Sequence, residues 1–138
     1  MFKMSFAVYR RPELTQGEFL HYWRTVHGPL AASLAKPLRL RRYVQLHGGD
    51  YEVTKMMTTS RGCAPAHDGV CEIWWDSEAD RLAAAATKEG QEASLILKAD
   101  ELKFCDMARS TVIFGHEHVV VGDWTPAYVA GKEPVAAE

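Results

Sequence analysis

Strand-type and helix-type patterns follow one another along this chain in a fixed order, and that order leaves few ways to pack it. Residues 3–9 carry aromatic and aliphatic side chains at every second position, as a strand does, and Arg10-Arg11-Pro12 ends the run. Thr15 and Glu18 have the spacing of a capping box, and Phe19, Trp23, Val26 and Leu30 then recur at helical intervals. Gly28-Pro29 predicts a bend or break, with a short second helix over 30–36. Residues 38–47 alternate again, with Leu40, Arg42, Val44 and Leu46 on one side and Arg41, Tyr43, Gln45 and His47 on the other.

Residues 48–68 are a long connection in which 53–57 can form one helical turn. Asp68-Gly69 opens a third strand over 70–75, and Ser77 caps a helix that carries the alanine run 83–86. Gly90 is expected to interrupt it, with more helix over 92–105 and Leu95, Leu102 and Phe104 in the core. A fourth strand spans 109–121, with Val112, Phe114, His116, His118 and Val120 on one face. The sum is β-α-β-β-α-β, an α+β, ferredoxin-like arrangement with an antiparallel four-stranded sheet. Residues 1–122 form the domain, and 123–138 read as an arm or loose tail. Helices cover one face of such a sheet, and a second copy of the chain is the simplest cover for the other.

The bulk figures exclude some classes. Across 138 residues, 47% are hydrophobic and 25% charged, as in a globular domain. A net charge of -2 gives no long-range attraction for nucleic acid, and Arg39, Arg41 and Arg42 read as a solvated or interface face. Cys63, Cys71 and Cys105 form no disulfide framework and have no zinc-ligand spacing. The N-terminus lacks a signal-peptide pattern and no run is long enough for a bilayer, so a cytoplasmic protein without membrane contact is expected. Phosphate loops and the serine-hydrolase elbow are missing, and no cofactor is expected.

Several segments together resemble the EthD-like proteins of the dimeric α/β-barrel superfamily. They are Arg10-Arg11-Pro12, Glu18-Phe19 with Tyr22-Trp23 and His27-Gly28-Pro29-Leu30, Arg42 to His47, Asp68-Gly69 with Glu72 and Trp74 to Ser77, and Glu117 to Val120. The likeness covers about residues 3–121 and implies a homodimer with sheets face to face, forming a dimeric α/β barrel. It also implies a ligand cavity between sheet and helices. Relatives include proteins linked to ether degradation, polyketide dehydratases and cyclases, and lactone isomerases, with cofactor-independent oxygenases elsewhere in the superfamily. A fold with so many chemistries does not choose among them.

The candidate residues are therefore weighed one by one. His27, four residues after Trp23, is a general acid or base, with exposed carbonyls at the helix end favouring its charged form; otherwise it caps that helix. Glu72, on a strand covered on both faces, is the partner acid or base, or else is buried in a salt bridge with Arg42 or Arg10. Tyr43, Gln45 and His47 share a face and can hold a carbonyl or phenolate oxygen, or line a dimer seam. His116 and His118 have strand spacing that can bind a metal, yet lack close partner ligands, so no metal is expected. His118, inside the family-like segment, ranks as a cavity residue. Trp23, Trp74, Trp75, Phe6 and Phe114 are core or build an apolar pocket, and Trp74 and Trp75 cannot both face one cavity.

Three functions fit these residues. The first is a cofactor-independent lyase (dehydratase or cyclase) or isomerase acting on a small aromatic or polyketide-like compound, with His27 and Glu72 catalytic. Trp23, Tyr43, Gln45, His47, Trp74, Phe114 and His118 would then bind substrate. The second is a non-catalytic carrier of a hydrophobic ligand or haem. The third is a cofactor-free oxygenase.

Overall fold

The computed structural model describes residues 1–122, so the arm or tail expected over 123–138 lies outside the described residues. The elements are β1 (Phe2–Val8), α1 (Gln16–Tyr22), α2 (Gly28–Ser33), β2 (Arg42–His47), α3 (Glu52–Arg61), β3 (Gly69–Trp75), α4 (Glu78–Ala86), α5 (Lys88–Glu101) and β4 (Thr111–His116). The strands form one antiparallel sheet in the order β2-β3-β1-β4, the ferredoxin-like topology.

The capping box forms as its spacing requires: the Glu18 amide donates to the Thr15 hydroxyl, and the Thr15 amide donates to the Glu18 carboxylate, both at 3.1 Å. Of the bend or break expected at Gly28-Pro29, the break does not occur. The chain stays helical through Gly28 and widens into a π turn over Trp23–His27, in which the Gly28 amide reaches back to the Trp23 carbonyl. Proline cannot donate to the preceding turn and crowds it, and a wider turn just before Pro29 relieves that crowding.

Four other features differ from the sequence reading. The second strand begins at Arg42, not Leu38, because Arg39 takes φ 55° and turns the chain. The connection over 48–68 holds a full helix, α3, which ends on Gly62 at φ 62°. The helical hairpin breaks at Thr87, whose hydroxyl accepts from the Gly90 amide at 2.9 Å, and Gly90 lies in the first turn of α5. A Cβ on Gly90 would lie 1.8 Å from the Ala84 carbonyl oxygen, so glycine there permits the close approach of the two helices. The fourth strand stops at His116.

Register assigns the two sheet faces. Phe2, Met4, Phe6 and Val8 of β1 lie beside Cys71, Ile73 and Trp75 of β3 and Tyr43, Gln45 and His47 of β2. This face packs against the helices, with Phe19, Trp23 and Phe104 fully buried between the layers. Burying such aromatic side chains stabilises the domain by about 1.5–3 kcal/mol each. Leu95 and Leu102, expected in the core, are exposed; Gly90, Ala93, Leu97 and Asp100 share the inward side of α5 at helical spacing, and both leucines lie on the other side. The opposite face carries Lys3, Ser5, Val44, Leu46, Val70, Glu72, Trp74 and Ile113, and no described helix covers it.

The Trp23 ring is seated on Gly69, where a Cβ would meet the Leu46 carbonyl oxygen at 2.5 Å and the ring at 2.6 Å. Gly69→Ala should therefore destabilise the domain by about 2 kcal/mol, read from urea unfolding, with a shift in Trp23 fluorescence. An unchanged midpoint and spectrum would show that Trp23 is not seated there.

Candidate functional site

A cavity of about 40 Å³ lies between the sheet and the helices, at the Val8 end of β1. Met4, Phe6, Val8, Ile73, Trp23, Leu97 and Phe104 give it apolar walls, and its polar lining comes from His27, Tyr43, Glu101, Cys71 and Cys105. Protein sites for drug-sized ligands are several hundred Å³. The space thus suits a small reacting group, and a larger ligand requires its walls to move.

His27 sits at the end of the π turn and is 4% exposed. Its Nδ1 lies 2.8 Å from Oδ2 of Asp100, itself 6% exposed, and the Tyr22 hydroxyl donates to Asp100 Oδ1 at 2.6 Å. Burial alone would raise the Asp100 carboxyl, but the hydrogen bonds from Tyr22 and His27 and the charges of His27 and Lys103 outweigh it. The carboxyl is held below its ordinary value and ionised. A carboxylate only accepts, so His27 Nδ1 carries the proton and Nε2 keeps the lone pair. Burial pulls the imidazole below its ordinary pKa, outweighing the opposing effect of Asp100. His27 is therefore a neutral base near pH 7. The charged form expected from an exposed helix end is not favoured, because the helix continues past His27 and the ring is buried.

Glu101, next along α5, lines the same cavity. Burial, with the adjacent Asp100 charge, pushes its carboxyl up to about 7. A base and a protonatable acid thus share one apolar space, which is the pairing general acid–base chemistry needs. Neither Asp100 nor Glu101 was singled out from the sequence. Two adjacent acids in the last turn of a helix, where the carbonyl ends repel them, were the available signal.

Glu72 is not part of this site. It lies on the open face, 3.1 Å from Lys3 Nζ, because the alternation of β3 sends Cys71 inward and Glu72 outward. Its ion-pair partner is Lys3. Trp74 shares that outer face, beneath Lys3 and Arg42, with its indole donating to Glu117. Phe114 stacks on Phe2 at 5.4 Å at the far end of the helix-covered face, outside the cavity. His118 is exposed beyond the end of β4, and His116 reaches the Met1 carbonyl, so neither enters the cavity. Among the described residues no three His, Cys, Asp or Glu side chains are grouped to hold a metal.

Trp23 and Tyr43 line the cavity. Gln45 and His47 stand behind them: Gln45 donates to the Tyr43 hydroxyl at 3.1 Å, and His47 stacks on Trp23 with ring centroids 4.9 Å apart. Cys71 and Cys105 are buried, and desolvation raises each thiol to about 12, which leaves them poor nucleophiles.

This fold and cavity define a ferredoxin-like α+β protein with a site between sheet and helices. The EthD domain model matches residues 11–108, and the chain belongs to the EthD family. No curated protein matches the sequence. Solved structures share the fold. An EthD family protein from Bacillus halodurans is 21% identical with a TM-score of 0.55, over 86% of this chain and 100% of that one. HapK from Hahella chejuensis is 13% identical with a TM-score of 0.52, over 91% of this chain and 100% of that one. A dimeric protein of unknown function from Bacteroides fragilis is 9% identical with a TM-score of 0.54, over 84% of this chain and 95% of that one. No helix among the described residues is long and apolar enough to cross a membrane.

The raised Glu101 pKa has a stability consequence. The folded state holds this proton more tightly than the unfolded chain, so the contribution is full below the ordinary value of 4.5 and is lost as pH rises through about 7. Glu101→Gln should therefore melt at the same temperature as the wild type at about pH 5 and several degrees higher at about pH 8. Equal melting temperatures at both pH values would remove the claim that Glu101 is strained by burial.

Proposed function

We propose that this protein is a cofactor-independent acid–base catalyst, a lyase (dehydratase or cyclase) or isomerase, acting on a small apolar carbonyl compound. One observation carries the reading: neutral His27, oriented by Asp100, and protonatable Glu101 line one apolar cavity. His27 Nε2 removes a proton from a carbon next to the carbonyl. The C–H electron pair becomes a carbon–carbon double bond, and the carbonyl π pair moves onto oxygen. In the isomerisation of a β,γ-unsaturated ketone the pair returns from oxygen along the conjugated carbons, and the protonated Glu101 delivers its proton to the γ-carbon. In the dehydration of a β-hydroxy ketone the returning pair leaves an α,β double bond as the C–O bond breaks, and Glu101 protonates the departing hydroxyl, which leaves as water. Proton exchange with solvent then restores neutral His27 and protonated Glu101. Tight burial of the imidazole between Phe104 and Asp100 fixes its ring orientation.

A cofactor-free oxygenase would begin with the same proton removal from a phenolic substrate, and oxygen consumption would separate it from the isomerisation. A haem or bulky-ligand carrier receives less support, since the space between sheet and helices is far smaller than such a ligand.

Incubation with acetone or cyclopentanone in heavy water tests the reading through deuterium uptake beside the carbonyl. Wild type should exchange, and His27→Ala should lose about two orders of rate. The sign of each shift predicts the pH profile. Activity rises as His27 loses its proton below its ordinary 6.5 and falls as Glu101 ionises near 7, giving a narrow bell. Unaltered exchange in His27→Ala would sink the proposal.

The second partner is another copy of the chain. Leu46 and Ile113 are 60% and 66% exposed on the open sheet face, and a second sheet laid on that face would bury them. Light scattering should give twice the chain mass, and Leu46→Asp with Ile113→Lys should halve it. A monomeric wild type at micromolar concentration would exclude this dimer.

A further inference from the structure

The cavity's polar wall is oriented by hydrogen bonds that all run one way. Gln45 Oε1 lies 2.8 Å from His47 Nε2; an amide oxygen only accepts, so Nε2 is the protonated nitrogen and donates. Gln45 Nε2 donates to the Trp23 carbonyl at 3.0 Å and to the Tyr43 hydroxyl oxygen at 3.1 Å. The Trp23 carbonyl fixes which end of the amide faces it, since an oxygen there would be repelled. Trp23 Nε1 donates to the same Tyr43 oxygen at 3.2 Å, and an indole N–H never accepts.

The Tyr43 oxygen therefore receives two donors, which occupy its acceptor positions. Its own proton can go neither to Gln45 nor to Trp23. Tyr43 lines the cavity, and the neighbouring group is the Cys71 thiol, a weak acceptor. A strong oxygen acceptor entering the cavity would gain more from this proton than sulfur does.

We propose that Tyr43 is the oxygen-binding residue of the cavity, its hydroxyl aimed by Trp23 and Gln45 at the carbonyl of a small uncharged ketone or enone. This rests on the acid–base reading and names the substrate class for it. Burial holds the Tyr43 proton well above the ordinary phenol range, so the residue donates a hydrogen bond without giving up its proton. Negative charge grows on the carbonyl oxygen as His27 takes the neighbouring proton, and the hydrogen bond strengthens at that moment. The two donors entering Tyr43 polarise its O–H and strengthen the third bond further.

Carbon NMR of carbonyl-labelled acetone, with deuterium uptake read on the same samples, tests this. In wild type the bound carbonyl resonance should lie at or downfield of its position in water. Tyr43→Phe keeps the ring, removes the donor, and should move the resonance upfield towards its position in an apolar solvent. Gln45→Glu supplies a second check, because a carboxylate accepts from Tyr43 and turns its proton away from the cavity. Both variants should slow exchange about a hundredfold. His27→Ala should slow exchange by about two orders and leave the bound resonance in place. An upfield or undetectable bound resonance in wild type, or one unmoved in both variants, would overturn the role of Tyr43. A downfield resonance that Tyr43→Phe abolishes, in a protein with no wild-type exchange, would support it and sink the acid–base reading instead.

Discussion

The contact between Asp100 and His27 is the constraint around which the rest of the site is arranged. It ties the last turn of α5 to the end of the π turn, two segments 73 residues apart in sequence. A carboxylate at 6% exposure costs several kcal/mol unless its oxygens are satisfied. Here Tyr22 and His27 donate to one oxygen each, and Lys103 approaches from the rim. The same ion keeps His27 in one tautomer and raises Glu101 beside it. One buried charge thus orients the base, tunes the acid and fixes how α5 lies against α1.

The sheet divides its work between its faces. The inner face holds the apolar cavity and the groups whose proton affinities are displaced from their ordinary values. The outer face keeps its charges partnered in the open, as with Lys3, Glu72 and Glu117 around Trp74. A strand's two-residue period is enough to separate these roles between adjacent residues, Cys71 and Glu72.

That period also explains what the sequence made legible. Element order, the capping box, the shared face of Tyr43, Gln45 and His47, and the pairing of Trp23 with His27 all follow from local spacing, and the fold was readable from them. Glu72 was misplaced for the same reason: alternation says which residues share a face, not which face the helices cover. A central strand was expected to be covered on both faces, so nothing in its pattern told the side of Glu72 from that of Cys71. Asp100 and Glu101 were hidden by a phase error. Leu95 and Leu102 share one side of α5 and were taken as its inner side; the side that packs inward carries Gly90, Ala93, Leu97 and Asp100, with Glu101 beside them. The break between α4 and α5 could not be placed without the contact between Gly90 and Ala84, which is tertiary.

The π turn has a further consequence for how this segment can change. An α-helix advances about 100° per residue, and a π turn accommodates one residue more than the regular spiral would. Residue numbers before and after it are therefore out of step by one. Loss of a single residue within 23–27 would return the turn to α geometry and leave the helix on either side facing as before, because five residues in the π turn cover about the same rotation as four in an α turn. The segment behaves as slack taken up inside a rod. Its cost falls on the spacing from Trp23 to His27, which the extra residue sets, and not on how the two halves of the rod face.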